Sequence, residues 1–285
     1  MRLASGLLAV CMVLGGANTA VWADRAEGSF DRTLSVTGPV QLDVKTGSGT
    51  IAIRRGAGSS VRIQARISAN DRFGNAAALV REIEQNPPIR QSGNTIVIGS
   101  DVRKWNRVGI SYDLTVPEET QATAQTGSGN IDCYDVRGPV KTDTGSGNIR
   151  VENSANPVDA NTGSGNIVVN RAGGSVKAGT GSGNIQLVAV NGSADTHTGS
   201  GDISVSGATG AVRARTGSGT VRVERATAEL SADAGSGGVV VDGAPKSARW
   251  DLRTGSGSVR VTLPPGTPFE LDAHTGSGTI STAHQ

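Results

Sequence analysis

Apolar side chains in the second half of the chain come in pairs set two residues apart, and the pairs recur every 18 residues. In the stretch 162–179, TGSGNIVVNRAGGSVKAG, one pair is Ile167 and Val169 and the other is Val176 and Ala178. A two-residue spacing puts both members of a pair on one face of a β-strand. Each unit therefore predicts two short strands, joined by a turn at residues 171–174 and by a second corner at Thr-Gly-Ser-Gly. Ten such corners occur, beginning at Thr46, Thr126, Thr144, Thr162, Thr180, Thr198, Thr216, Ala234 (as AGSG), Thr254 and Thr275. From 126 to 234 every step is 18 residues, and the last two steps are 20 and 21.

A unit this small cannot bury its apolar face alone, but coils stacked on one another can. The pattern predicts an all-β fold, a parallel β-solenoid of about 18-residue coils, with neighbouring coils about 4.8 Å apart. In every copy an Ile or Val stands five residues after the first position, as at Ile149, Ile167 and Ile185. Asn130, Asn148, Asn166 and Asn184 fall one above another and predict an amide ladder. Val176, Ala178, Thr180 and Ser182 continue one alternating series, so both Thr and Ser of the motif are expected to face inward. A hexapeptide helix with the same period would need an inward aliphatic six residues after Ile149, Ile167 and Ile185. Ala155, Gly173 and Asn191 stand there instead.

Residues 30–125 break the rhythm. Strand-like runs at 42–44, 51–53, 61–67, 95–98 and 109–116 enclose one helix near 75–85. Asn75 is its expected cap, Ala76, Val80 and Ile83 its apolar face, and Pro87 its stop. The expected organisation is a signal peptide at 1–23, an N-terminal β-rich cap at 24–125 carrying the helix, and the TGSG-repeat solenoid at 126–285. The cap would cover strand edges that otherwise invite aggregation. At the far end Pro264, Pro265 and Pro268 interrupt the last complete coil.

The segment Ile110-Ser111-Tyr112-Asp113-Leu114-Thr115-Val116-Pro117, followed by TGSGNI units and preceded by the helix, resembles the uncharacterised bacterial "putative adhesin" family. The likeness covers nearly the whole mature chain. It implies an exported β-solenoid, an adhesin-like module of the cell envelope, and supplies no activity.

Composition narrows the compartment and the chemistry. Arg2 followed by the apolar run 3–16 and by Val21-Trp22-Ala23 reads as a secretory signal cleaved before Asp24. The run is too short to span a bilayer comfortably, so no integral membrane segment is expected after cleavage. Export to the periplasm, the cell surface or the medium follows. Losing Arg2 takes the net charge from +2 to +1, too weak a field to attract nucleic acid. Cys133 is then the only cysteine, at a position held elsewhere by Val, Leu or Ile, and reads as buried and inert. With aromatics at 3% and 41 glycines, the interior must be narrow and a deep ligand pocket is not expected.

No motif names a reaction or a cofactor. The TGSG loops lack the Lys and the helix of a phosphate-binding loop, and they lack the G-x-S-x-G of a nucleophile elbow. Calcium rolls need stacked Asp, and here only Asp202 stands at that position. Sugar cleavage needs two carboxylates flanking a groove, whereas Glu152, Glu224, Glu229, Asp233 and Asp242 show no paired ladder. His197, His274 and His284 lack metal-ligand spacing.

The most ligand-like cluster is Arg103, Lys104, Trp105 and Arg107, an aromatic face among cations that suits a sugar or an anionic polymer. The expected function is a non-catalytic binding or structural module, with an envelope polysaccharide or an envelope protein as partner. The alternative is a sensory or scaffolding role through a protein partner. A polysaccharide-active enzyme and an ice-binding Thr/Ser grid are the remoter readings.

Overall fold

The computed structural model describes residues 24–71, 75–99, 108–270 and 272. Their strands form two sheets, one of 12 strands and one of 11, and from Thr120 onward the chain enters the two alternately. In one coil, Val158–Ser164 lies in the 11-stranded sheet and Ile167–Ala172 in the 12-stranded sheet. Gly165 and Asn166 make the corner between them, and residues 173–175 turn back to Val176.

Coil follows coil without slip as far as Val223, and between Val223 and Ala226 the register with the next strand shifts. Thr144, Thr162 and Thr180 are mutual partners, as are Ile149, Ile167 and Ile185. Every position of the repeat thus becomes a column along the rod. The two sheets close on a single dry core: Ile167 and Val169 are fully buried, and Val176 and Ala178 are nearly so. Each such aliphatic contributes about 1.5–3 kcal/mol through burial. The parallel solenoid predicted from the sequence is the observed architecture.

Two local features differ from strict alternation. Thr162 is buried as expected, but Ser164 is exposed, and the same holds at Thr180 and Ser182. Ser164 keeps its pairing with Ser146 and Ser182, but alternation ends here, since Gly163 and Ser164 are both exposed ahead of the corner glycine. On the other strand, Val169 and Ala172 are both buried although three residues apart. Arg171 between them takes the left-handed conformation, with φ 57°. Asp135, Asn153, Ala189 and Arg225 do the same at the equivalent positions, φ 55° to 60°, and Gly207 completes the column with φ 70°.

The coil at Thr46 belongs to the same stack. Its strands Val40–Ser48 and Ile51–Arg55 pair directly with Thr120–Ser128 and Ile131–Tyr134, bringing Thr46 beside Thr126 and Ile51 beside Ile131. Between these coils the chain makes an excursion. Asp24–Ser35, Ser60–Asp71 and Val108–Val116 extend the 12-stranded sheet, with antiparallel pairing between them, and the hairpin Ile89–Ser92/Thr95–Ile98 extends the other.

The helix Ala76–Gln85 buries Ala76, Val80 and Ile83, the expected face. Asn75 precedes it but makes no side-chain cap hydrogen bond. The helix is held from another side, where the Ser29 N–H donates to the Glu84 carboxylate at 2.9 Å. Phe30 and Tyr112 meet edge to face at 6.4 Å beneath it. The signal-like residues 1–23 and the last TGSG, at Thr275, lie outside the described residues.

Candidate functional site

Two ladders inside the corners fix the geometry of the outer surface. The hydroxyls of Thr144, Thr162, Thr180, Thr198, Thr216 and Thr254 each donate to the carbonyl of the corner glycine one coil earlier, at 2.8–3.1 Å. Outside the corner, the side-chain oxygens of Asn130, Asn148, Asn166, Asn184 and Asp202 each accept the backbone N–H of the equivalent residue one coil later, at 2.7–2.9 Å. The expected Asn ladder is present, with side chain bonded to backbone in place of amide to amide. That explains how Asp202 joins it, since only the carbonyl-type oxygen is used.

On the outside of the 11-stranded sheet the columns are regular. Lys141, Asp159, Lys177, Asp195 and Arg213 lie side by side on successive strands and alternate in sign. A groove of ≈ 380 Å³ runs along the first four of them. Four residues further on, a glycine column, Gly145, Gly163 and Gly181, forms a bare backbone floor. A Cβ on Gly163 would lie 2.6 Å from the carbonyl oxygen of Gly145, so no larger residue fits at that close approach. A second groove, of ≈ 570 Å³, crosses this floor between Lys45, Gln125, Asp143 and Asn161. Both are open troughs, the form that takes an extended partner by many small contacts.

The other candidate groups are dispersed. Cys133 is buried, and burial with Asp132 beside it pushes its thiol up to about 12, which removes it as a nucleophile. Glu152 is engaged by Arg150, and Asp233 lies 3.5 Å from Arg215. Glu224 and Asp242 follow Val223 and Val241, which pair across adjacent strands, so the structure brings these two carboxylates to neighbouring strands. The register shift that begins after Val223 leaves them without direct pairing. The Ser206 hydroxyl is 3.3 Å from Glu224, and neither carboxylate lines a groove described here.

Glu229 precedes the strand Leu230–Ser236 on an exposed turn. His197 is exposed in the column of Asp143 and Asn161. Among the described residues no three His, Cys, Asp or Glu side chains group as metal ligands, and no helix is long and apolar enough to cross a membrane.

Arg103, Lys104, Trp105 and Arg107 lie outside the described residues. The strands on either side, Thr95–Ile98 and Val108–Val116, belong to different sheets. The left-handed turn column escaped the sequence reading. Its signal was the Asp, Asn and Gly at 135, 153 and 207, the residue types that tolerate positive φ.

A family model described as Toastrack DUF4097 matches residues 41–285. No curated protein matches the chain. Among solved structures it is similar to a "putative adhesin" from Bacteroides fragilis, with 15% identity over 82% of this chain and 97% of that one and a TM-score of 0.43. It is also similar to a "putative lipid binding protein" from Parabacteroides distasonis, with 15% identity, the same coverage of both chains and a TM-score of 0.44.

Proposed function

We propose that the chain, which belongs to the Toastrack family, is an exported, non-catalytic binding module of the cell envelope that offers the repeated outer face of its solenoid to an extended polymer. The observation that carries this reading is the unbroken register of the outer columns. From Thr126 to Ser236 each exposed position of the 11-stranded sheet recurs in register on the next strand, so a partner meets side chains at the same spacing on every coil. Spacing of about 4.8 Å between coils matches a ligand that is itself periodic and extended. Many weak contacts then sum to useful affinity, without a deep pocket. The ion-paired Glu152 and Asp233 and the neutral buried thiol of Cys133 support a role without catalysis.

The test is retention of residues 24–285 on isolated cell-wall and outer-envelope fractions of the producing bacterium, over a salt titration. Saturable retention is the expected result. Absence of retention at every salt concentration overturns the reading and favours a scaffold that acts through a protein partner.

A further inference from the structure

We propose that the groove beside the left-handed turn column is a track for a polyanion, whose carboxylate or phosphate groups are taken by Arg55, Arg137 and Arg171; this deepens the binding reading above and rests on it. The groove has a volume of ≈ 400 Å³ and crosses successive coils on the edge where the 12-stranded sheet turns back.

Arg171 sits in it with φ 57°, a conformation that is costly for a non-glycine residue. Gly207 in the same column occupies the position without that cost. A relay orients the guanidinium: Arg171 Nε donates to Asn153 Oδ1, and Asn153 Nδ2 donates to Asp135 Oδ1 at 2.8 Å. Among the described residues Arg171 makes no salt bridge.

Arg55 and Arg137 are under-neutralised in a second way. Both bind the same oxygen of Glu118, at 2.9 and 2.6 Å. Three guanidiniums therefore face two carboxylates, Glu118 and Asp135. Guanidinium forks bind planar carboxylate and phosphate groups in two-point fashion, which a lysine or an amide does not. Arg137, in the coil of Asp135, and Arg171 stand about two coils apart, about 10 Å along the rod, so one extended polyanion can engage both guanidiniums.

The experiment is calorimetric titration of the full chain with oligogalacturonate, which presents carboxylates, and with polyphosphate, at physiological salt. Saturable binding of one or both is expected, and the arm that binds identifies the anion. Arg171→Gln should weaken it about tenfold, the loss of a charge-assisted contact. Arg25→Gln, on the exposed edge strand Asp24–Ser35 and outside every groove above, should leave it unchanged. Arg171→Gly separates stability from binding: it should raise the melting temperature and still lose affinity.

The assignment is overturned if neither probe binds saturably, or if Arg25→Gln weakens binding as much as Arg171→Gln does. Envelope retention is measured on the same samples. Wild-type retention that survives Arg137→Gln with Arg171→Gln overturns the track and leaves the module reading standing, whereas absence of wild-type retention overturns the module reading itself.

Discussion

The hydroxyl of Thr162 lies 3.0 Å from the carbonyl oxygen of Gly147, the corner glycine of the coil before it. Thr162 is buried, so the contact ties the core of one coil to the corner of its neighbour. It also accounts for the spelling of the repeat. Threonine supplies an inward donor, and the glycine before the serine allows close backbone stacking. The serine faces out, and the final glycine, φ 149° at Gly165, makes a bend that side chains avoid.

Removing the donor leaves a buried carbonyl unpaired. Thr162→Val should lower unfolding free energy by about 1–3 kcal/mol in urea titration. The chain carries its own counter-experiment at Ala234, where the motif lacks the hydroxyl. Ala234→Thr should stabilise by about 0.5–1.5 kcal/mol by reaching the carbonyl of Gly219.

The glycine floor is a packing requirement. Gly163→Ala places a methyl 2.6 Å from the Gly145 carbonyl oxygen, and it should cost about 1–3 kcal/mol as the coils are forced apart. Ser164→Ala, on an exposed position next door, should change stability by no more than about 0.5 kcal/mol. Thermal unfolding of the two variants checks the contrast.

Relief of the left-handed turn should act in the opposite direction. Ala189 has φ 55° and no side-chain chemistry to justify it. Ala189→Gly should raise stability by about 1 kcal/mol. Denaturant midpoints decide it.

Cys133 makes stability depend on alkaline pH. Burial raises its thiol from 9.0 to about 12 in the folded chain. A raised folded value means the stabilisation is intact below 9.0 and is lost as pH rises towards 12, because the unfolded chain ionises first. Cys133→Val should flatten the stability profile over that window. At pH 8 the wild-type thiol should resist a thiol reagent until the chain unfolds.

Much of the fold was legible because its signal repeats. Ile149, Ile167 and Ile185 carry the same burial at the same spacing, and each copy reinforces the others. The helix was readable from Ala76, Val80 and Ile83, which share one face. What escaped is local backbone geometry. The exposure of Ser164 and the left-handed Arg171 depend on where alternation breaks, and a period-two reading assumes that it does not.

The placement of Glu224 and Asp242 on neighbouring strands was hidden for a related reason. They are 18 residues apart, yet the Glu224 column holds Asn170, Val188 and Ser206 in other coils, so no ladder of acids signals the pair. The surface chemistry of this chain varies from coil to coil while its core does not. The sequence therefore reveals the scaffold more fully than the partner.

The central claim is that affinity is spread along the rod, and coil number tests it most directly. Deleting residues 162–179 removes one 18-residue repeat and joins coils already in register. Affinity for the isolated envelope fraction should be measured for the wild type and for variants lacking one and two such repeats, each verified as folded. The account predicts a stepwise fall in affinity with each coil removed. Equal affinity across the series, or binding lost only when the N-terminal cap is altered, would contradict it.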